Sequence, residues 1–514
     1  MSSSTICILI AIVAYLGMML YLGFRYSKAS KSSDEFYLGG RQLGPYVTAM
    51  SAEASDMSSW LLLGIPGLAY ASGICDAAWT AIGLAIGTYL NWLLVAKRLR
   101  HYTEVCGDSV TVPDFFENRF RDKSHLLMGI SSVAIVVFFV PYTASGFAAC
   151  GKLFSSLFGV NYMTAMIVSA AVIVAYTAMG GFLAASTTDF VQSIVMTAAL
   201  IFMLVFGISM SGGVSQAYDF ASGIPGYLSL THLFDGETQS VVSYGGPLSI
   251  ASTLAWGLGY FGMPHILLRF MGIQDPKKLK VSRRVGSIWV VIAMFIAILI
   301  GVLGLTMVHA GNLEGVADSE RILIAMATKL SSFGILPALL AGVVMAGILA
   351  CTMSTCDSQM LAASSSVSEN IIKDVFGLKV SEKGSMLIAR ITLIVISVIG
   401  VIMARDPDSS VFQIVSFAWA GFGGAFGAVV LCALFWRRAN RWGALAGMIG
   451  GGVMVFVWKF VIKPMGGVWG IYELLPAFLT SLILIVVVSL LTPAPEQEIV
   501  DEFPRLEVWF VSAF

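Results

Sequence analysis

Apolar runs long enough to cross a lipid bilayer recur along almost the whole chain, and that recurrence constrains the fold more than any motif does. Hydrocarbon offers no water to backbone N–H and C=O groups, so a spanning segment must satisfy them internally, as a helix does. At about 20 residues per crossing, the runs divide into thirteen segments. These begin near Ile6, Pro45, Ala78, Leu126, Tyr162, Phe190, Pro247, Val285, Leu336, Leu387, Val411, Ala444 and Trp469. With 57% of its 514 residues apolar and 12% charged, the chain is not a water-soluble enzyme carrying a few anchors. The longest hydrophilic stretch, about 212–246, holds Gly, Ser and acids, and the tail after Leu491 is short and acidic. Neither leaves room for a soluble signalling domain.

Charge sorting tests the count. Thirty Lys and Arg balance thirty Asp and Glu, so there is no basic surplus for nucleic acid. The first run, Ile6 to Phe24, is followed by Arg25, Lys28 and Lys31, the reverse of a cleavable signal peptide. It is expected to remain as a helix with its N-terminus outside. Loops then alternate, and 24 of the 30 basic residues fall on the inner side, Arg269 and Arg505 among them. Only Lys152, Arg321, Lys329, Arg405, Lys459 and Lys463 fall outside. That is a strong positive-inside asymmetry, with a cytoplasmic C-terminus. The seven cysteines form no CxxC pair and the five histidines no HExxH, so neither a disulfide framework, a metal site nor a metal-dependent catalytic pair is expected. No GxxxxGK[ST] loop for ATP is present.

Two segments are expected to be interrupted. The second holds Ser51, Glu53, Ser55, Asp56, Ser58 and Ser59 within nine residues, and short polar side chains offer the backbone alternatives to helical hydrogen bonds. The seventh, Ala255 to Pro264, contains three glycines and ends in a proline, which weakens and then breaks a helix. Both place Trp, Gly and Pro in that order: Trp60, Gly64, Pro66, then Trp256, Gly262, Pro264. Five helices counted from each break make two halves of opposite orientation. Matching interruptions in inverted halves mark a secondary transporter with its site at the midplane.

Ionised carboxylates inside spans cost at least about 3 kcal/mol, so Glu53, Asp56, Asp189 and Asp357 are functional candidates. For Asp189 a second reading stays open, a carboxylate in the first turn of segment six complementing the helix dipole. In the ninth segment Gly347, Cys351, Ser354, Thr355 and Ser358 share one helical face. Such a stripe serves either a close helix contact or, against unwound backbone, a cage of neutral oxygens suited to sodium. Trp60, Trp256, Tyr260 and Tyr142 offer either core packing or an aromatic pocket for a small ligand.

The residues also carry a resemblance. The runs Tyr37 to Pro45, Ala54 to Trp60, Met179 to Ala184, Trp256 to Gly262 with Pro264 and His265, Met353 to Thr355, and Ala418 to Gly423 resemble the sodium/solute symporter family, in particular its bacterial proline-transporting branch. The likeness runs from about Glu35 to Val488. It implies an all-α polytopic membrane protein of about 13 transmembrane helices. A five-plus-five inverted-repeat core lies within it, with the second and seventh helices discontinuous. Its parts are an extra helix (1–30), a first repeat (31–211), a second repeat (212–440), two additional helices (441–492) and a cytoplasmic tail (493–514). It further implies sodium at backbone carbonyls of Ala54, Met57 and Cys351 and hydroxyls of Ser354 and Thr355, with Asp56 and Asp189 in coupling or the ion path. Ser58, Trp60, Tyr142, Trp256, Tyr260 and Pro264 match proline-site positions.

The implied activity is sodium-driven import of L-proline by alternating access in a bacterial cytoplasmic membrane, with lipid around the protein and no obligate protein partner. The alternatives are another small solute, such as another amino acid, pantothenate or a sugar acid, and a channel. Glu53 departs from the family pattern, where a small or neutral residue is expected, and so does Ser59, where glycine is. A carboxylate at 53 has three open roles: binding a proton, pairing with a substrate amine, or resting on a hydrogen-bonding neighbour.

Overall fold

The computed structural model describes residues 2–27, 33–236 and 238–503. Lys28, Lys31 and Arg505, expected on the inner side, and the tail residues 504–514 lie outside the described residues. Each of the thirteen apolar segments is helical. Among the described residues ten helical stretches are long and apolar enough to cross a membrane, and Tyr162–Ala178 is apolar but shorter. The remaining two are the segments read as interrupted. Pro45–Ser59 passes through a π-helical turn, Trp60–Gly64, into Ile65–Ser72; Pro247–Leu254 passes through a 3-10 stretch, Ala255–Gly262, into Pro264–Gly272.

Each break has a local cause. In segment two Ser58 takes φ 38°, ψ −172°, a conformation that costs a non-glycine residue roughly 1–3 kcal/mol and persists only where surrounding contacts impose it. In segment seven Met263 is extended and Pro264 opens the second half-helix, where its missing N–H costs nothing. The 3-10 stretch itself is pressed against segment three. A Cβ on Gly257 would lie 2.2 Å from the Gly83 carbonyl oxygen, and one on Gly87 2.3 Å from that of Gly257. Gly257→Ala is therefore expected to destabilise the protein by about 1–3 kcal/mol through overpacking, seen as a lower unfolding temperature in detergent; an unchanged temperature would contradict this packing.

Four expectations need correction. The bend between segments five and six falls at Gly181 (φ 64°, ψ −176°), where a Cβ would meet the Phe36 ring at 2.8 Å, and not near Phe190. Asp189 consequently lies eight residues past the bend, beyond the first turn, and the helix-dipole reading of it fails. The helix of the thirteenth segment is Leu474–Leu491; Trp469 belongs to a preceding turn, Gly467–Gly470, entered through two positive-φ glycines, Gly466 and Gly467. Arg269, assigned to an inner loop, is inside the half-helix Pro264–Gly272 and 1% exposed, because buried oxygens from three other segments surround it. The stretch 212–246 holds a helix, Val214–Gly223, and a hairpin of His232–Asp235 with Ser240–Ser243.

Loops expected on one side meet at one end. Arg41 reaches Asp108 and the Met271 carbonyl, both at 2.8 Å, and Arg100 the Ile273 carbonyl at 2.8 Å. Loops expected on the other side also meet one another, with Lys152 at 2.9 Å from Asp318 and 2.7 Å from Glu320.

Candidate functional site

The breaks in segments two and seven face each other in the middle of the molecule, with segments four and nine alongside. Interrupting the helix at Ser58 frees carbonyls that an intact helix would use, and side chains from other segments reach for them. The Ser354 hydroxyl donates to the Ala54 carbonyl at 2.8 Å and approaches the Cys351 carbonyl at 3.2 Å, while Thr355 Oγ1 lies 3.1 Å from that same carbonyl. The Met57 carbonyl, at the kink, shares the Trp60 N–H with that of Ser58. The five positions read as a sodium cage thus lie on two adjacent segments and offer only neutral oxygens, the donor type that suits a hard monovalent cation. Along the ninth-segment stripe Gly347 makes a close helix contact, where a Cβ would lie 2.6 Å from Ala199 Cβ, and farther along the Ser354 hydroxyl reaches segment two.

Asp56 joins the two breaks. Tyr260 OH donates to its Oδ2, Tyr142 OH donates to its backbone carbonyl at 3.2 Å, and its Oδ1 is buried without a partner among the described residues. Around it the aromatics expected to line a pocket converge. The Trp60 and Trp256 rings are 6.1 Å apart, and Trp60 Nε1 is buried without a partner among the described residues. Ser58, Trp60, Tyr142, Trp256, Tyr260 and Pro264 are all buried.

Trp256 has a second face, on a cleft of about 560 Å³ that Asp76, Phe412, Lys463 and Tyr472 also line. Trp419 was not singled out as a site residue, yet its Nε1 donates to the Trp256 carbonyl at 2.7 Å and its ring stands edge-on to Tyr260 at 5.1 Å. A Cβ on Gly259 would lie 2.0 Å from Trp419 Nε1, which explains the glycine there. The run Ala418 to Gly423 was the one available signal.

Asp189 and Asp357 belong to a network that sequence reasoning saw only in part. Arg269 pairs with Asp189 Oδ2 at 3.1 Å, donates to Ser51 Oγ at 3.0 Å and the His265 carbonyl at 2.9 Å, and also donates to Ser358. Ser51 donates to Asp189 at 2.7 Å, and Ser358 to Asp357 at 3.2 Å. Segments two, six, seven and nine are therefore tied through one guanidinium. No spacing rule connects Ser51, Asp189, Arg269 and Ser358.

Glu53 stands apart from this network. Its Oε1 accepts from Thr88 at 3.1 Å and Trp92 Nε1 at 2.7 Å, and it fills the space over Gly286, where a Cβ would approach it to 2.8 Å. It faces segments three and eight, whereas the Ala54 carbonyl beside it faces Ser354 of segment nine.

Comparison with known proteins bears on this arrangement. The model of the sodium:solute symporter family matches residues 36–451. The osmoregulated proline transporter OpuE of Bacillus subtilis is 41% identical over 488 residues, covering 95% of each chain. A sodium/proline symporter of Staphylococcus aureus is 40% identical over 492 residues, covering 95% of this chain and 93% of its own. Among solved structures, a sodium-coupled sialic acid symporter in a substrate-bound outward-open state superposes with a TM-score of 0.78 over 96% of this chain and 99% of its own, at 18% identity. That likeness is one of fold, and it agrees with the mostly helical architecture and apolar spans described above. With a family model spanning most of the chain and relatives at about 40% identity over nearly all of it, the chain belongs to the sodium:solute symporter family.

Proposed function

We propose that the protein is a secondary active symporter that imports L-proline, driven by the sodium gradient, by alternating access. The observation that carries it is the Ser354 hydroxyl on the Ala54 carbonyl at the break of segment two, which joins the two elements whose separation would open an ion site. Proline as the substrate is supported by the names of the relatives at about 40% identity. Sodium binds among the carbonyls of Ala54, Met57 and Cys351 and the hydroxyls of Ser354 and Thr355. It orders the strained turn at Ser58, and the ordered turn presents Ser58 and Trp60 to substrate opposite Tyr142, Trp256, Tyr260 and Pro264. Asp56 transmits occupancy from one break to the other through Tyr260, and Asp189 borders the ion's inner path.

Segments two to six and seven to eleven form the two repeats, within 31–211 and 212–440. All thirteen segments cross a bacterial cytoplasmic membrane, N-terminus outside and C-terminus inside. The protein transports without chemical conversion and needs no protein partner. One sodium ion descending a tenfold gradient yields about 1.4 kcal/mol, and 100 mV of potential about 2.3 more. Together they sustain roughly 500-fold accumulation of a neutral solute at ideal coupling.

Purified protein in liposomes is expected to accumulate labelled proline only with an inward sodium gradient. Accumulation without sodium, or preference for another amino acid, pantothenate or a sugar acid in competition, would overturn the assignment.

The position of Glu53 favours a positioning role over a proton or substrate contact. An amide keeps the acceptor oxygen that Thr88 and Trp92 use, so Glu53→Gln is expected to retain uptake within about twofold across pH. Glu53→Ala strands both donors at about 1–3 kcal/mol each and is expected to lower the unfolding temperature. A pH profile flattened in Glu53→Gln would instead establish proton involvement.

A further inference from the structure

Tyr472 lies in the connection between segments twelve and thirteen, outside both repeats, yet it touches the candidate site's outer edge at three points. Its ring stacks on Trp256 with centroids 5.0 Å apart and planes at 21°. Its backbone N–H donates to Ser252 Oγ at 2.7 Å, and its hydroxyl donates to the Ser416 carbonyl at 2.6 Å. Ser252 and Trp256 belong to the outer half of broken segment seven, Ser416 to segment eleven. One side chain therefore bridges the two elements that flank the cleft above the pocket.

We propose that Tyr472 is the outer latch of the transport path, a positioning residue that holds the outer half of segment seven against segment eleven and releases it whenever the pocket opens outward. The proposal rests on the transporter reading above. Trp256 stands between the cleft of about 560 Å³ and the proposed substrate residues, its ring 6.1 Å from Trp60 on one side and stacked on Tyr472 on the other. To admit a ligand from the cleft, Trp256 has to swing, and the stack with Tyr472 opposes that.

Which half of the latch moves follows from how Tyr472 is anchored. The adjacent Glu473 is fully buried and lies 3.4 Å from Lys459 and 2.9 Å from Lys463, while Trp458 Nε1 donates to the Ile471 carbonyl at 3.3 Å. All three partners stand at the end of segment twelve. That segment is locked to eleven and thirteen by bare glycines: a Cβ on Gly451 would lie 2.0 Å from the Gly424 carbonyl oxygen, and one on Gly443 2.0 Å from Ser489 Oγ. Tyr472 is thus fixed on segments eleven to thirteen, and its own contacts to segment seven, with Trp256 and Ser252, stand beside the bond from Trp419 of segment eleven to the Trp256 carbonyl. A latch whose chain neighbours Ile471 and Glu473 are both anchored resets after each opening without refolding.

The test compares wild type, Tyr472→Ala and Tyr472→Phe in liposomes and in detergent, with unfolding temperatures as the check on folding. In Tyr472→Ala, sodium-dependent equilibrium binding of proline is expected within about twofold of wild type, while maximal uptake falls about fivefold or more. Tyr472→Phe, which keeps the ring and loses only the Ser416 bond, should fall between. Hydrogen exchange of residues 247–262, measured without substrate, should quicken in Tyr472→Ala. Unchanged maximal uptake and unchanged exchange would overturn the latch, as would equal loss of binding and uptake in a folded Tyr472→Ala. Should wild type fail to bind proline at all, the substrate reading falls while the exchange measurement still decides the latch.

Discussion

Ser354→Ala is expected to raise the sodium concentration for half-maximal proline uptake by about tenfold or more, with maximal uptake largely restored at high sodium. Thr355→Ala should do the same, and Thr355→Ser should not. Ser354 Oγ lies 2.8 Å from the Ala54 carbonyl and 3.2 Å from that of Cys351, so it is placed where a cation between those carbonyls would meet it. Losing one oxygen partner of a charged group costs about 1.5–3 kcal/mol, roughly 10- to 150-fold in affinity. The substitution removes no apolar packing of consequence, and the Ala54 carbonyl regains a partner only if the cation or a water supplies one. Wild-type sodium dependence in both alanine variants would remove segment nine from the ion site. Loss of uptake at every sodium concentration, with binding of sodium intact, would place these hydroxyls on the path of substrate instead.

The second large effect is expected at the opposite edge of the site. Arg269→Met strands Asp189 in a fully buried setting; Asp189→Leu strands Arg269. Removing one member of a buried pair typically costs 3–5 kcal/mol because the other charge is left uncompensated, while replacing both by apolar residues is often close to neutral. Each single variant is therefore expected to unfold at a much lower temperature in detergent and to accumulate poorly in membranes. Arg269→Met combined with Asp189→Leu should recover a substantial part of the stability without recovering uptake. Single variants as stable as wild type would show that water reaches the pair. Full uptake in the double variant would show that the network only supports the fold and that Asp189 has no part in the ion path.

Sequence patterning reached the elements and stopped short of their partners. The positions of thirteen apolar segments, the two interruptions and the Cys351 to Ser358 face could all be read because each is written within ten or twenty consecutive residues. The bend at Gly181 was misplaced by nine residues because the polar run within Tyr162–Met210, Ser186 to Asp189, lies past the bend and not at it. A glycine at positive φ leaves no trace in hydropathy. Arg269 was misread for a related reason: a lone guanidinium at the end of an apolar run looks like a loop residue until its partners are known. Those partners lie 218, 80 and 89 residues away.

Glu53 shows the same limit from the other direction. Sequence placed it three residues from Asp56, and adjacency invited a shared role. Residues three apart share a helix face, yet the two carboxylates end on different partners, Glu53 on Thr88 and Trp92 of segment three and Asp56 on Tyr260 of segment seven.

What the sequence determined by itself is the material and the punctuation: a helical membrane protein, sorted by charge into two sides, broken in two places. Lipid makes that legible, because a chain that cannot hydrogen-bond to its solvent has to write its helices as long apolar runs and its breaks as local exceptions. Tertiary structure alone decided which exceptions meet. Ser354 at Ala54, Arg269 at Asp189 and Tyr472 on Trp256 are contacts between residues 300, 80 and 216 positions apart. Hydrogen bonds and ring stacks act over a few ångströms in space and carry no signal along the chain.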